Sequence, residues 1–365
     1  MSSYHISNKI LIEDLDYIHK NFSEHKLLQN SEILITGCAG FLGYYFINYL
    51  IKYKDLIGIK RIVGIDNFML SKPIWLQNLA KKFPDFLEIK AFNIINDDLS
   101  ELSNLEEINY VLHMASIASP TFYRKYPIET LDANIWGLRR LLDYYSKKNL
   151  NGFLMFSSSE VYGDPDPRFI PTKETYLGNG STIGPRACYD EAKRFSETLC
   201  YLYSEKFNMP ITMVRPFNNY GPGMSLKDKR VPADFALSIV ENSTIDIFSD
   251  GTPTRTFCYI ADAIIGYLKA LTYGKFEIFN IGTEGPEISI SNLAKIYVKK
   301  GKEIFNYSKE FKLAKPPEEN YMTNNPNRRC PNIELAKEKL SYHPNILVED
   351  GVERFLKFLL IGENF

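Results

Sequence analysis

The sequence predicts an α/β fold, a doubly wound parallel sheet with a smaller C-terminal portion, and three observations carry that expectation. Short β-rich runs alternate with longer helical stretches from Ser31 to about Pro216. The runs are continuously apolar, as strands of a parallel sheet covered by helices on both faces are. A glycine-rich segment joins the first run to the first helical stretch.

The elements follow in order. Residues 1–30 precede the alternation and carry Leu11, Leu15, Ile18 and Phe22 at helical spacing, which predicts one amphipathic helix docked on the body or on a second subunit. Then come "EILITG", a helix through Ile51, "RIVGID", "LEIKAFN", "YVLHMAS", a helix near 128–147, "GFLMFSSS", a helix near 188–207 and "PITMVRP". This is a Rossmann-type layout, expected over residues 31–215. After about residue 216 turn-rich segments, "NNYGPGM", "SDGTPTRT" and "GTEGPE", separate helices from strands that read as isolated, "IDIFSD" and "FEIFNIG". Residues 216–365 are therefore expected to form mainly a substrate-binding portion, with crossovers back to the first domain near 255–282.

Composition excludes several function classes. The 43 lysines and arginines balance 44 aspartates and glutamates, so no net field draws the chain to nucleic acid or to an anionic membrane. No apolar run reaches the length of a membrane span, and the start "MSSYHISNKILIED" lacks a basic region followed by an apolar one, which predicts a cytoplasmic protein. The cysteines at 38, 188, 200, 258 and 330 and the five histidines are scattered without metal-ligand spacing, so no metal site is expected.

In "ITGCAGFLG" the glycines Gly37, Gly40 and Gly43 stand where the first strand turns into the first helix. Such a turn brings the backbone close to a pyrophosphate, and the helix start, with Phe41 and Leu42, offers free N–H groups to its charge. Asp66 ends the second strand, followed by Asn67. A carboxylate there accepts hydrogen bonds from the adenosine ribose and repels a 2′-phosphate, which predicts NAD over NADP. The glycine spacing resembles the extended short-chain dehydrogenase/reductases. By that resemblance Met114, Ala115 and Ser116 line the cofactor at the end of the fourth strand, while His113 is a packed strand residue.

"CYDEAKR" places Tyr189 and Lys193 four apart, on one helix face. An ammonium beside the phenol, with the charge of oxidised nicotinamide, would depress the tyrosine pKa and let it take a proton from a sugar hydroxyl. Tyr144 and Lys148 repeat the spacing on a helix that reads as an ordinary surface one. Only the first pair follows "FLMFSSS", which supplies Ser158 as a third hydrogen-bonding group.

The runs "HMASIASPTFYRKYPIETLDAN", "SSSEVYGDP", "GPRACYDEAKR", "RPFNNYGPGM" and "GTPTRTFCYIAD" resemble the UDP-glucuronate decarboxylase (UDP-xylose synthase) family, from about Ile33 to Leu360. The resemblance implies that Ser158, in place of the family's threonine, bonds the C4 hydroxyl, that Tyr189 is the C4 base and that Lys193 tunes it and bonds the nicotinamide ribose. Glu160 and Arg255 flank C5 and C6, while Ser119, Tyr123, Ser159, Asn218 and Arg230 match substrate-contact positions. It also implies tightly bound NAD regenerated within the cycle, a UDP-linked substrate, and a homodimer formed through helices that include the one bearing Tyr189. Oxidation at C4 makes a C6 carboxylate β to a ketone, so carbon dioxide leaves through an enolate and C5 is reprotonated. A 4,6-dehydratase must instead expel the C6 hydroxyl with a general acid, an aspartate where this chain has Ser159. A 4-epimerase typically lacks the glutamate at 160, and release of the 4-keto product is a further alternative. The chain departs from the decarboxylase pattern at Asn93-Ile94, Leu177, Lys229 and "GNGSTIGPR".

Overall fold

The structure is a computed structural model and describes residues 8–316 and 323–362. Strands β1 (Glu32–Thr36), β2 (Arg61–Asp66), β3 (Leu87–Ala91), β4 (Tyr110–His113), β5 (Gly152–Phe156) and β6 (Ile211–Pro216) lie in the order β3-β2-β1-β4-β5-β6. A seventh, Glu277–Ile281, extends the sheet beyond β6, and every pairing is parallel. The order reverses at β1, so the crevice beyond the carboxyl ends of β1 and β4 is where such a fold admits a ligand. "FEIFNIG" is thus not isolated but the last strand of the main sheet. "IDIFSD" contributes Ile245–Ile247, which pairs in parallel with Phe311–Leu313 away from it.

Each face of the sheet has its own core, as the pleat requires. Ile33 and Ile35 of β1 join a cluster with Phe46, Tyr49 and Leu268. Leu34 between them joins the opposite cluster with Leu138, Leu141 and Tyr145. The N-terminal helix Lys9–Asn21 packs on the first of these, with Leu11, Leu15, Ile18 and the following Phe22 buried as the spacing predicts. Asn8 caps it by accepting from the Ile10 N–H at 3.1 Å. Asp14, fully buried, accepts from Tyr45, Tyr259 and Arg354, each at 2.7 Å, and so ties the helix to two other helices and to the strand Cys258–Tyr259. Residues 1–7 of the expected extension lie outside the described residues.

The helix expected near 128–147 runs as Pro127–Asp132, a π-turn at Ala133–Gly137 and Leu138–Tyr145. A π-turn frees backbone and side-chain groups from the helical ladder. Here the Asn134 carbonyl accepts from the Ser196 hydroxyl at 3.0 Å, and its amide donates to Ser116 at 3.0 Å. Among the described residues no helix is long and apolar enough to cross a membrane, and no cluster of three His, Cys, Asp or Glu side chains could hold a metal ion.

Candidate active site

A cavity of about 1190 Å³ opens along the carboxyl ends of the strands, and every sequence-predicted site residue except Gly43 lines it. The glycine turn forms one end. Gly37 has φ +70°, and a Cβ there would fall 2.9 Å from the Ala115 Cα, so the first and fourth strand ends approach only with glycine. Gly43 acts from behind the wall: a Cβ there would lie 2.2 Å from the Cys38 carbonyl, which lets the helix Phe41–Lys52 start tight against the turn. Its first N–H groups have no intrahelical partner, as at any helix start. Asp66 accepts from the Ala39 N–H at 3.0 Å and the Phe68 N–H at 2.8 Å, which fixes its carboxylate beside the turn. Burial pushes that carboxyl up, and the two N–H groups oppose the rise. The Asn67 side chain accepts from the Met69 N–H at 3.0 Å and shapes the loop beyond. Opposite, the Thr36 hydroxyl accepts from the N–H groups of Met114 at 3.2 Å and Ala115 at 3.1 Å. Together these residues form the cradle, with the carboxylate, that a dinucleotide without a 2′-phosphate requires.

The middle of the cavity holds Ser158, Tyr189 and Lys193. Strand β5 ends at Phe156, and Ser158 then caps the short helical turn Ser159–Tyr162 by accepting from the Glu160 N–H at 3.2 Å. The same serine lies in hydrogen-bonding reach of the Tyr189 hydroxyl. Burial pushes that phenol up to about 12, while Ser158 and the charge of Arg230 pull it back. Lys193 is expected to depress the phenol together with the charge of oxidised nicotinamide; without that charge, burial dominates the phenol. Its ammonium donates to the Phe156 carbonyl at 2.7 Å and stands 5.5 Å from the Tyr189 ring centre. Burial pulls Lys193 itself down to about 7. His113 is buried, bonded to Thr36 at 2.9 Å and pulled down to about 3 by burial and by Lys193, so it is a neutral packed residue. Tyr144 and Lys148 lie outside the cavity, the lysine 5.6 Å over the tyrosine ring.

The far end is dominated by arginine. Arg186 and Arg329 both ion-pair with Glu160. Burial alone would raise the Glu160 carboxyl, but the two guanidinium charges outweigh it and hold it at about 2. Arg255 does not pair with Glu160. It donates to the carbonyls of Pro326 at 2.6 Å, Thr254 at 2.8 Å and Asn327 at 3.1 Å. Burial, and after it the charge of Arg329, pull Arg255 down to about 9. Asp190, 3.6 Å from Arg186, is pushed up to about 7 by burial and by the Glu160 charge. Three guanidinium groups, each under one-tenth exposed, therefore face one carboxylate that is firmly ionised.

The remaining predicted contacts shape the rim. Arg230 is paired with Asp228 at 2.8 Å, Ser119 donates to the Asp228 carbonyl, and Asn218 donates to the Thr256 carbonyl at 2.9 Å. Sequence reasoning missed Arg186, Arg329, Asp190 and Thr36. The first had a signal, since Arg186 and Asp190 stand four apart in "GPRACYDEAKR"; Arg329 had none, because only the folded chain brings it to Glu160. Asn93, Ile94 and Lys229, where the chain departs from the decarboxylase pattern, line the cavity, whereas Leu177 is exposed outside it.

Residues 33–282, over half of the chain, match the NAD dependent epimerase/dehydratase family. The chain belongs to that family. Its similar relatives include UDP-glucuronic acid decarboxylase 1 of Arabidopsis thaliana, 33% identical over 89% of this chain and 68% of the relative. UDP-glucuronic acid decarboxylase 1 of Xenopus tropicalis is 31% identical over 89% of this chain and 71% of its own. The resemblance read from the sequence motifs is thus matched along most of the chain. Among solved structures, a UDP-glucuronic acid 4-epimerase from Bacillus cereus in complex with UDP-glucuronic acid and NAD superposes with TM-score 0.74 at 28% identity, covering 90% of this chain and 98% of that one. A UDP-glucose 4-epimerase from Thermotoga maritima with UDP-glucose gives 0.76 at 26% identity over the same shares. The fold is that of NAD-dependent epimerases and dehydratases, the cofactor is NAD, and the protein is an enzyme of that family.

Proposed function

We propose that this enzyme decarboxylates a nucleotide-linked uronic acid, UDP-glucuronate to UDP-xylose, by C4 oxidation, loss of carbon dioxide and re-reduction. The observation that carries the reading is the arginine cluster about Glu160. Arg255, buried beside Arg329 with its guanidinium paired to no carboxylate among the described residues, has its affinity for a proton lowered by burial and then by the Arg329 charge, which an arriving anion would relieve. A C6 carboxylate is such an anion, whereas the neutral C6 hydroxyl of a hexose is not.

Each remaining residue has a role in this chemistry. Tyr189 takes the proton of the C4 hydroxyl, Ser158 bonds that oxygen, and Lys193 holds the nicotinamide ribose. NAD, when bound, supplies the oxidising equivalent at C4 and returns it before the product leaves, so it stays in place. With the ketone formed, the C5–C6 bond breaks and C6 leaves as carbon dioxide; the freed pair forms the C4–C5 double bond while the carbonyl pair moves onto the C4 oxygen, and the hydroxyls of Ser158 and Tyr189 stabilise that charge. C5 then takes up a proton. Dehydration fits poorly, because Ser159 is no general acid and Glu160, held ionised, has no proton to give. In this reading residues 31–215 hold NAD and 216–365 supply sugar-nucleotide contacts such as Arg230 and Arg255. Exposed Ile128, Trp136, Phe195 and Leu202, on the Tyr189 helix and the one beside it, support the expected homodimer.

One observation favours a second reading. The Bacillus cereus neighbour, a 4-epimerase, binds the same uronate and NAD, and an anion site serves either reaction. Incubation with UDP-glucuronate and no added cofactor separates them. Carbon dioxide with a pentose nucleotide is expected; UDP-galacturonate without carbon dioxide marks an epimerase, and an unreduced pentose product marks a decarboxylase that releases its 4-keto sugar. A 4-keto-6-deoxyhexose from a neutral sugar nucleotide, with no action on uronates, overturns the proposal.

A further inference from the structure

Tyr123 matches a substrate-contact position, yet its geometry points elsewhere. It lies on the short helix Pro120–Lys125 after β4, a different element from the helix of Tyr189. The two rings stack with centres 5.2 Å apart and planes 11° from parallel. With Ile117 they form a small apolar cluster separate from both main cores, against which Phe122, Tyr126 and Cys188 pack. The Tyr123 ring is 1% exposed, and its buried hydroxyl has no hydrogen-bond partner among the described residues. The guanidinium of Arg186, which ion-pairs with Glu160, stands 6.0 Å from the Tyr123 ring centre. Contacts therefore run from the Arg186–Glu160 pair across the Tyr123 ring to the Tyr189 phenol.

We propose that Tyr123 is a positioning residue for Tyr189: its ring face, not its hydroxyl, holds the phenol in the orientation in which it takes the C4 proton, and links that orientation to the Arg186–Glu160 pair. The reason is mechanical. The Ser158 hydroxyl can act on the Tyr189 hydroxyl at one point, whereas an offset stack restrains the whole ring. A base displaced by an ångström loses about a hundredfold in rate. The inference rests on Tyr189 being the C4 base, but not on decarboxylation, since C4 oxidation is common to all the reactions considered.

The test compares Tyr123→Leu with Tyr123→Phe, using retained NAD and thermal unfolding as controls of folding. With whichever sugar nucleotide the wild type oxidises, Tyr123→Leu is expected to lower kcat by about tenfold to a hundredfold with little change in KM. Tyr123→Phe, which keeps the ring face, is expected to restore kcat to within about threefold. The Tyr189 phenol gives a readout that needs no turnover: tyrosine Cζ labelling and NMR titration, with the Tyr189 signal assigned by its loss in Tyr189→Phe. Because burial pushes this phenol up, opening its face to water in Tyr123→Leu shifts its titration down, and Tyr123→Phe does not. An impaired Tyr123→Phe with raised KM would make the hydroxyl a substrate contact and overturn the proposal. So would Tyr123→Leu with normal kcat or an unmoved titration. Turnover of a neutral sugar nucleotide instead of a uronate sinks the functional reading and leaves this one to be judged on its own outcome.

Discussion

Arg255 and Arg329 stand directly opposite one another in register on the neighbouring parallel strands Thr254–Arg255 and Arg328–Arg329. Like charges in that position repel, and a sheet tolerates them only where something else compensates. The pair one step back is neutralised: Glu287 accepts from Arg328 at 2.6 Å and from Thr254. At the cavity the main compensation is Glu160, shared between Arg329 and Arg186, because Asp190 beside Arg186 is pushed up to about 7. Arg255→Ala should therefore remove preference for a charged sugar more than affinity for the nucleotide. Calorimetry should show UDP-glucuronate binding weakened by about 2–5 kcal/mol, with UDP-glucose nearly unaffected. Equal losses for the two ligands would place Arg255 at the diphosphate or in the scaffold.

Tyr189→Phe keeps the ring, and so the stack on Tyr123, while removing the hydroxyl proposed to accept the C4 proton. Turnover should fall by about a hundredfold or more, with NAD still retained on purification. Turnover near the wild-type rate would remove Tyr189 from the base role.

Glu160→Gln isolates the ion-pair cluster from chemistry. It leaves Arg186 and Arg329 without their shared carboxylate, and a broken buried pair costs about 3–5 kcal/mol, less here because Glu160 keeps some exposure. The sign with pH follows from its depressed carboxyl. Its stabilisation is fully present above the ordinary glutamate value of 4.5 and is lost as pH falls through about 2. Urea unfolding of wild type and variant should differ most near neutral pH and converge in acid; a constant gap from pH 7 to pH 3 would argue that the loss is steric.

The order of the first six strands, the glycine turn and the Tyr189–Lys193 pair were legible because each is local. Periodicity, a turn and an i, i+4 spacing are set by neighbours in sequence. "FEIFNIG" read as an isolated strand within the crossover expected near 255–282, because nothing within five residues says which sheet a strand joins; its pairing with β6, more than sixty residues earlier, does. Arg329 was illegible for the same reason, being 169 residues from its partner Glu160. Lys193 was found on the Tyr189 face of its helix, but its contact with the carbonyl at the end of β5 was not legible, because only the folded chain brings residue 156 to it.

Lys193 supplies a prediction with the opposite sign to Glu160. Its folded pKa, about 7, lies below the ordinary lysine value of 10.5, chiefly because burial penalises the charge. Between those two values the unfolded chain holds a proton that the folded protein lacks, so the residue's contribution to stability rises with pH across that window and is least favourable below it. Lys193→Met removes the charged group and, at every pH, the bond to the Phe156 carbonyl, which is a constant offset. In protein freed of cofactor, wild type should gain stability relative to Lys193→Met as pH rises from 7 to 10, read from urea midpoints at matched ionic strength. A flat difference would mean that water or an unmasked carboxylate solvates the ammonium in the folded state, and that Lys193 stays charged through the working pH range.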